Sequence, residues 1–269
     1  MDRETVQRLR ELNNEFYLNN CDSFSKTRKG PWEGWFRCID IIADKLPLAD
    51  WSSAEPMGDD KVFSVFDLGC GNLRFKTFLE NAFPELNMAY FAVDNCQDMI
   101  PMTSDDGRQI FSLHFQDLDA IEVIADGESL NSLIDAPLCN LSVSFGFMHH
   151  VPNQENRKEA LRALVDQTYP GGLVIVSLWQ FMSHPELADK MLQFHARACD
   201  ELHMPPLEPN DFILGWQNLP DAYRYCHSFT DEDIDDLVDS IADKADLVAR
   251  FTSDGRTHDL NSYVVFQVK

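Results

Sequence analysis

Two carboxylates and a glycine turn are the residues whose types and spacing are best suited to chemistry. Asp67 ends an apolar run, Gly69 and Gly71 follow it, and Asp94 ends the next apolar run. Because glycine lacks a Cβ, the backbone of such a turn can bend sharply and approach a ligand closely. A carboxylate in the position of Asp94 can accept hydrogen bonds from the hydroxyls of a ribose. The pattern therefore predicts a site for a nucleoside.

The same turn lacks the features of two common phosphate-binding motifs. The dinucleotide fingerprint requires a third glycine three positions after Gly71, where this chain has Arg74, and the sequence has no Gly-Lys-Ser or Gly-Lys-Thr segment. A second carboxylate at the turn, Asp67, favours a ligand with a cationic amino group over a pyrophosphate. S-adenosylmethionine (SAM) has an amino group, a ribose and no phosphate, and we hypothesise that it is the ligand. The other interpretation is an ordinary strand–turn–helix connection without a ligand.

Composition restricts the class of protein and of partner. The 269 residues are 44% hydrophobic, which is enough for one α/β core of good size. Acidic residues outnumber basic ones by 45 to 22, and the formal net charge is −23. This charge disfavours unaided binding to nucleic acid or to an anionic membrane, although it is compatible with a local basic patch.

Cysteine usage and the N-terminal pattern favour a cytoplasmic location. The seven cysteines are scattered and form no Cys-x-x-Cys pair, so we expect reduced thiols and no metal site. The chain starts with the pattern of a charged amphipathic helix rather than that of a signal peptide. No apolar run approaches the roughly 20 residues of a membrane span, so we expect no membrane contact.

Apolar periodicity predicts strands that alternate with helices, as in a doubly wound α/β fold with a mostly parallel sheet. Seven strands are predicted, at 62–68, 88–94, 110–117, 138–148, 173–178, 247–252 and 262–268. Helices are predicted before a polar turn at 19–27, around 35–43, at 153–169 before a Pro-Gly-Gly stop, from 184 onward, and at 231–242. The expected sheet is therefore Rossmann-like and seven-stranded, with N-terminal helices and a lid insertion.

We expect residues 1–269 to form a single domain with four parts. These are an N-terminal helical cap and linker (1–60), a ligand-binding core (61–183), a lid (184–225), and a C-terminal helix with a strand pair (226–269). In such a sheet the ligand crevice lies beyond the carboxyl ends of the strands. The acidic residues and the 146–150 segment that follow predicted strands are expected to meet at this edge.

Several segments, in order, match motifs of a known enzyme family. They are Tyr17 followed by FSKTRKGPW at 24–32, DLGCGNLRF at 67–75, FMHH at 147–150, a strand ending at Trp179, and YRYCHSF at 223–229. The first strands and the glycine turn resemble those of class I SAM-dependent methyltransferases. The full set resembles the tRNA wobble-uridine carboxymethyl methyltransferases and their bacterial relatives. The family's turn has a glycine where this chain has Leu73, and its eukaryotic members have a small zinc-binding activating subunit.

The resemblance implies a cofactor site for SAM, with S-adenosylhomocysteine (SAH) as product. The implied residues are Tyr17, Arg28, Asp67, Gly69, Cys70, Gly71, Asn72, Asp94, Asn95, Asp117, Leu118, Gly146 and Phe147. Arg28 would pair with the carboxylate of SAM, although a solvated surface charge is an equal alternative. Asp117 would contact the adenine, although an Asp at a strand–helix junction is as often a helix N-cap.

His149, His150 and Arg224 are the candidate catalytic residues. Two adjacent histidines cannot share one environment, so we expect one to face the site and the other to pack away. Either would be a candidate base for a hydroxyl or amine acceptor. Arg224 and Arg256 could hold an anion, but a surface ion pair is the favoured interpretation. The lid aromatics are expected to pack rather than to stack on a base; they are Phe212, Trp216 and Tyr223.

The leading hypothesis for function is a SAM-dependent methyltransferase that acts on a carboxylate-bearing modified tRNA uridine. The acceptor and the family's activating subunit are implied by resemblance alone. A second hypothesis is the same chemistry on a small metabolite, which the acidic composition favours. A third is a SAM-binding protein without turnover.

Overall fold

A seven-stranded sheet forms the centre of the fold. The computed structural model describes residues 1–27, 30–51, 62–100, 111–217, 219 and 221–269. The sheet strands are β1 (Phe63–Leu68), β2 (Met88–Asp94), β3 (Phe111–Asp117), β4 (Cys139–Ser144), β5 (Thr168–Trp179), β8 (Ala245–Ser253) and β9 (Asn261–Val268). Their order is β3-β2-β1-β4-β5-β9-β8, and β9 runs antiparallel to both of its neighbours. The predicted doubly wound, mostly parallel sheet is confirmed.

Helices cover both faces of the sheet, because the central strands are apolar on both faces. The helices are α1 (Arg3–Lys26), α2 (Glu33–Lys45), α3 (Arg74–Ala82), α4 (Ala120–Ala125), α5 (Gln154–Asp166), α6 (Pro185–Glu201) and α7 (Asp231–Asp239). On β1, Phe63 and Val65 pack with α2 and α3, whereas Phe66 and Leu68 pack with α4, α5 and α7. Burial of each such side chain stabilises the fold by roughly 1.5–3 kcal/mol, which fixes the register of β1 and hence the position of the turn after it.

The N-terminal helix is longer than predicted. The polar stretch at 19–27 does not form a turn; α1 continues to Lys26. Phe16 and Phe24 are both buried, two helical turns apart, and their rings contact each other edge to face. This contact stabilises the polar part of the helix, which local propensity alone does not favour.

Two predicted strand boundaries are wrong. β4 ends at Ser144 rather than at residue 148, because Gly146 has a φ of +78° and turns the chain. Met148–His150 then form a 3-10 turn that carries both candidate histidines. The Pro-Gly-Gly segment does not stop α5, which ends at Asp166; it lies inside β5 instead.

The predicted lid has its own regular structure. It contains α6 and a two-stranded antiparallel sheet of β6 (Asp211–Gly215) and β7 (Tyr223–His227), which extends beyond the predicted boundary at 225. The backbone N–H of Tyr225 donates to Asn13 Oδ1 at 2.7 Å, which joins β7 to α1. Asp211 Oδ1 lies 2.7 Å from both the Tyr225 hydroxyl and His227 Nδ1. The first bond holds β7 against α1, and the other two join β7 to β6 within the lid.

Other parts of the prediction fall at the margins of the described structure. The linker at 48–60 begins with a short 3-10 helix, Leu48–Asp50, and residues 52–61 lie outside the described residues. The strand predicted at 110–117 is described from Phe111. Within the described ranges, no helix combines the length and the hydropathy needed to cross a lipid bilayer.

Candidate active site

A cavity of about 360 Å³ lies at the carboxyl ends of β1, β2 and β4, between the sheet, α1 and β7. Most of the residues predicted for the site line it: Tyr17, Asp67, Gly69, Cys70, Gly71, Asn72, Asp94, Asn95, Leu118, Gly146, Phe147, His149, His150 and Arg224. Asp117 is exposed and is not among the described residues that line the cavity. Arg28 lies outside the described residues. The sequence therefore identified one continuous site rather than scattered positions.

The glycine turn brings the backbone against the cavity wall. Gly69 has a φ of +75°, and a Cβ on it would lie 2.5 Å from Phe147 Cβ. Gly71 has a φ of +52°, but a Cβ there would meet only Met99 Cε, at 3.5 Å. Leu73, where the related motif has glycine, also has a left-handed φ of 58°, and its side chain is buried. The turn thus keeps its shape without the third glycine.

Gly69→Ala is expected to lower the free energy of unfolding by about 3 kcal/mol, because positive φ and a close contact both oppose a Cβ. Gly71→Ala is the matched control and should cost about 1 kcal/mol, since only its φ is unfavourable. Urea denaturation of both variants measures the difference. Equal destabilisation would show that Phe147 moves away without cost.

Asp94 shapes the turn from the neighbouring strand. Its Oδ2 accepts the N–H of Gly71 at 2.8 Å, and its Oδ1 accepts the N–H of Cys96 at 3.0 Å. Burial raises the pKa of Asp94 above its ordinary value, although these backbone bonds favour the carboxylate. Asp94 therefore presents an acceptor to the cavity and also fixes the backbone at Gly71.

Asp67 is buried beneath the same turn. The hydroxyl of Tyr90, itself fully buried, donates to Asp67 Oδ2 at 2.5 Å. Burial raises the pKa of Asp67 from 3.8 to about 7, against the opposing effect of the Tyr90 bond. A cationic group in the cavity would favour the ionised form of this carboxyl.

Both histidines line the cavity, so the prediction that one of them packs away is wrong. His150 Nδ1 lies 2.9 Å from the carbonyl oxygen of Tyr225 and 3.3 Å from Asn13 Nδ2, and the shorter contact, with an acceptor, favours a proton on Nδ1. Its Nε2 lies 2.7 Å from the hydroxyl of Tyr17 and accepts from it. His149 is half-buried, with its ring against that of Trp179. The two rings share one wall because a 3-10 turn, rather than a strand, carries them.

Arg224 is only 6% exposed, and the favoured interpretation of a surface ion pair is wrong. Its guanidinium lies among aromatic rings, with centroid distances of 5.2, 5.7, 6.0 and 5.1 Å to Phe16, Phe24, Trp179 and Trp216. In the described part of the chain, no carboxylate lies within ion-pair distance of it and its Nε has no hydrogen-bond partner. The cavity therefore contains a buried cation that has no anion beside it among the described residues.

The other predicted groups of the lid and C-terminus are not among the described residues that line the cavity. Arg256 is exposed and does not line the cavity as described. Phe212 and Tyr223 pack in separate apolar clusters, and Trp216 packs with Phe16 and Phe24. The expectation that these aromatics pack agrees with their positions.

Comparison with known proteins identified a relative by sequence and solved structures with a similar fold. No family model matches the chain. A tRNA (carboxymethyluridine(34)-5-O)-methyltransferase of Arabidopsis thaliana is 24% identical over 115 residues, which is 43% of this chain and 24% of that protein. The chain therefore matches only about a quarter of that relative's length.

Solved structures of methyltransferases share the architecture. A SAM-dependent methyltransferase from Methanosarcina mazei aligns over 85% of this chain and 96% of its own, with 14% identity and a TM-score of 0.57. The magnesium protoporphyrin IX methyltransferase of Synechocystis, with bound SAH, aligns over all of both chains with 12% identity and a TM-score of 0.54. The chain therefore has the fold of class I SAM-dependent methyltransferases.

Sequence reasoning missed Arg74, which lines the cavity. It begins α3 directly after the glycine turn, donates to the carbonyl of Gly30 at 3.0 Å, and lies over the rings of Trp32 and Trp35. A cation at a helix N-terminus opposes the helix dipole and needs another reason to be there. That unfavourable placement was the available signal.

The acid that reaches the cavity from the β3–α4 junction is Asp119 rather than Asp117. Asp119 caps α4 through the N–H of Glu122 and accepts from Arg10 and Asn14 at 2.9 Å. Asp117 lies two residues earlier, within the last pair of β3 and β2, and its side chain faces solvent. The sequence QDLD offers both acids, and only the strand end distinguishes them.

Proposed function

We propose that the protein is a methyltransferase that transfers the methyl group of SAM to a carboxylate on a small planar acceptor, as a carboxymethylated tRNA uridine would present. The observation that carries the proposal is Arg224, a buried guanidinium in the cavity. An unpaired buried charge is strongly unfavourable, and an anionic ligand would compensate it. The bidentate fork of an arginine suits a carboxylate in particular.

The residues of the turn fit the donor. Gly69 leaves no space for a side chain, Asp94 offers oxygens for ribose hydroxyls, and Asp67 offers a carboxylate for an ammonium group. Arg74, which lines the cavity, would hold the carboxylate of the donor. Arg28 is the alternative that the sequence suggests. SAM supplies a methyl group that its sulfonium already activates.

The acceptor side then needs alignment rather than proton transfer. A carboxylate is deprotonated at neutral pH, and holding it in line near the methyl group accounts for much of the acceleration. Arg224 would orient the carboxylate, while His149 and Trp179 form the wall beside it and exclude water. His150 is already hydrogen-bonded on both ring nitrogens, which favours a positioning role over that of a base.

The size of the acceptor has two interpretations. The name of the Arabidopsis relative supports a modified tRNA. The net charge of −23 supports a small carboxylate metabolite instead, since a polyanion repels RNA. The activating subunit implied by the family resemblance would supply a basic surface and reconcile the first interpretation with this charge.

Methyl transfer from labelled SAM tests the proposal and separates its forms. The protein is incubated with bulk tRNA and with a metabolite extract, each with and without a co-expressed zinc-binding subunit of the implied kind. A methyl ester is hydrolysed by mild base, so label on either acceptor should be released as methanol. Base-stable label would contradict a carboxylate acceptor. SAM binding by calorimetry without any incorporation would support a binding protein without turnover.

Asp94→Ala is expected to weaken SAM binding by about 2 kcal/mol, because a charged acceptor and the anchor of the Gly71 N–H are lost together. Asp117→Ala is the matched control. It is the cross-strand neighbour of Asp94 in the sheet but is exposed. The dissociation constant of SAM, measured by calorimetry, should change by less than about threefold, as is usual for a substitution on the surface. If both variants lost the same affinity for SAM, the original prediction that Asp117 contacts the adenine would be supported.

A further inference from the structure

Three potential metal ligands converge beside the cavity, and two of them belong to its lining. The side chains of His149, His150 and Cys226 place one nitrogen or sulfur each within 4.8 Å of one another. The histidines are adjacent on the turn after β4, whereas Cys226 lies on β7, 76 residues after His150. The docking of β7 creates this cluster, and for that reason ligand spacing in the sequence did not predict it.

The separations suit a tetrahedral ion. Cys226 Sγ lies 3.8 Å from His150 Nδ1. Around tetrahedral zinc, bonds of about 2.3 Å to sulfur and about 2.0 Å to nitrogen separate the two ligand atoms by roughly 3.5 Å. Small side-chain rotations would therefore close the site.

We propose that His149, His150 and Cys226 bind one divalent ion of the zinc class through two imidazole nitrogens and a thiolate. Imidazole and thiolate favour zinc or cobalt, whereas magnesium and calcium prefer oxygen ligands. Cys226 is fully buried and both histidines line the cavity. Three protein ligands thus leave the fourth position open to the cavity, which is the arrangement of zinc sites that bind a substrate atom.

Protons balance in this binding step. His150 Nδ1 exchanges its hydrogen bond with the Tyr225 carbonyl for the metal bond, and its proton moves to Nε2. Nε2–H can then donate to the hydroxyl oxygen of Tyr17, which lies 2.7 Å away. The Cys226 thiol loses its proton to solvent, so each ion bound should release one proton.

The open position faces Arg224 and Trp179, which line the same cavity. An ion there would bind an anionic oxygen of the acceptor and hold it beside Arg224. This role rests on the proposed function, whereas binding of the ion does not require SAM or an acceptor.

Titration of the metal-free, full-length protein with Co²⁺ tests the site. We expect one equivalent to give a thiolate-to-cobalt charge-transfer band with strong tetrahedral d–d bands, release of one proton, and displacement by Zn²⁺. Cys226→Ser should abolish the charge-transfer band and weaken binding more than about 100-fold, since even outer-shell changes cost 10–100-fold. Cys139→Ser is the matched control, a buried thiol outside both the cluster and the described cavity lining, and should behave as the wild type.

Circular dichroism establishes that each variant is folded. If Cys226→Ser does not fold, His149→Gln replaces it, because His149 is only half-buried, and this variant should lose the tetrahedral bands. Folded wild-type protein without a charge-transfer band would overturn the site, and so would a band that Cys226→Ser retains. These readouts contain no SAM, so a failed methyl-transfer assay leaves them unaffected.

Discussion

Arg224→Gln is expected to lower kcat/KM for a carboxylate acceptor by roughly a thousandfold, about 4 kcal/mol, because a buried charge pair loses its cation. Glutamine keeps much of the side-chain length and the neighbouring rings. The affinity for SAM should change by less than about threefold. Initial rates with varied acceptor, together with calorimetry with SAM, measure the two effects separately.

Arg74→Gln is the control for this experiment, since Arg74 is the other described arginine that lines the cavity. It should weaken SAM binding and leave the KM for the acceptor nearly unchanged. Arg224→Lys keeps the charge without the planar fork and should recover part of the lost rate. The opposite assignment of the two arginines would follow if Arg224→Gln reduced SAM affinity and Arg74→Gln did not.

Asp67→Asn is expected to become more stable relative to the wild type as pH rises from about 4 to about 8. The folded protein holds the Asp67 pKa at about 7 instead of 3.8, so the protonated carboxyl stabilises the folded wild type at low pH. This contribution is lost as the pH rises from 3.8 to about 7. The difference between the two pKa values corresponds to roughly 4 kcal/mol in the free energy of unfolding. Urea denaturation of both proteins without SAM, over this pH range, measures it.

Asparagine keeps an oxygen that can accept from Tyr90, so the hydrogen bond survives the change. Asp117→Asn, at an exposed aspartate, is the control for removal of one carboxyl group. A pH-independent difference for Asp67→Asn would mean that Asp67 ionises in the folded protein as it does in the unfolded chain.

The sequence predicted those parts of the fold that local patterns determine. β1 is apolar on both faces and ends in a glycine turn, and these features identified the sheet and the first half of the cavity. The predicted end of α1 was wrong because the contact of Phe24 with Phe16 stabilises the polar residues as helix, and this packing depends on tertiary structure. Boundaries fail where distant packing overrides propensity.

The acceptor half of the site depends on long-range structure. The burial of Arg224 follows from the docking of β7 on α1, and no local pattern at YRYCHSF indicates it. The choice between Asp117 and Asp119 depends on where β3 ends, and the two acids lie only two residues apart in the chain. Such positions require the packed chain rather than its sequence.

The bond between Tyr225 and Asn13 joins residues that are 212 positions apart. During synthesis the first helix is complete long before the strand that it contacts leaves the ribosome. Non-local contacts of this kind form late, because the chain between them must first be ordered. We expect α1 to gain hydrogen-exchange protection after the central sheet in refolding experiments, so that the nascent chain acquires its cofactor turn before its acceptor pocket closes.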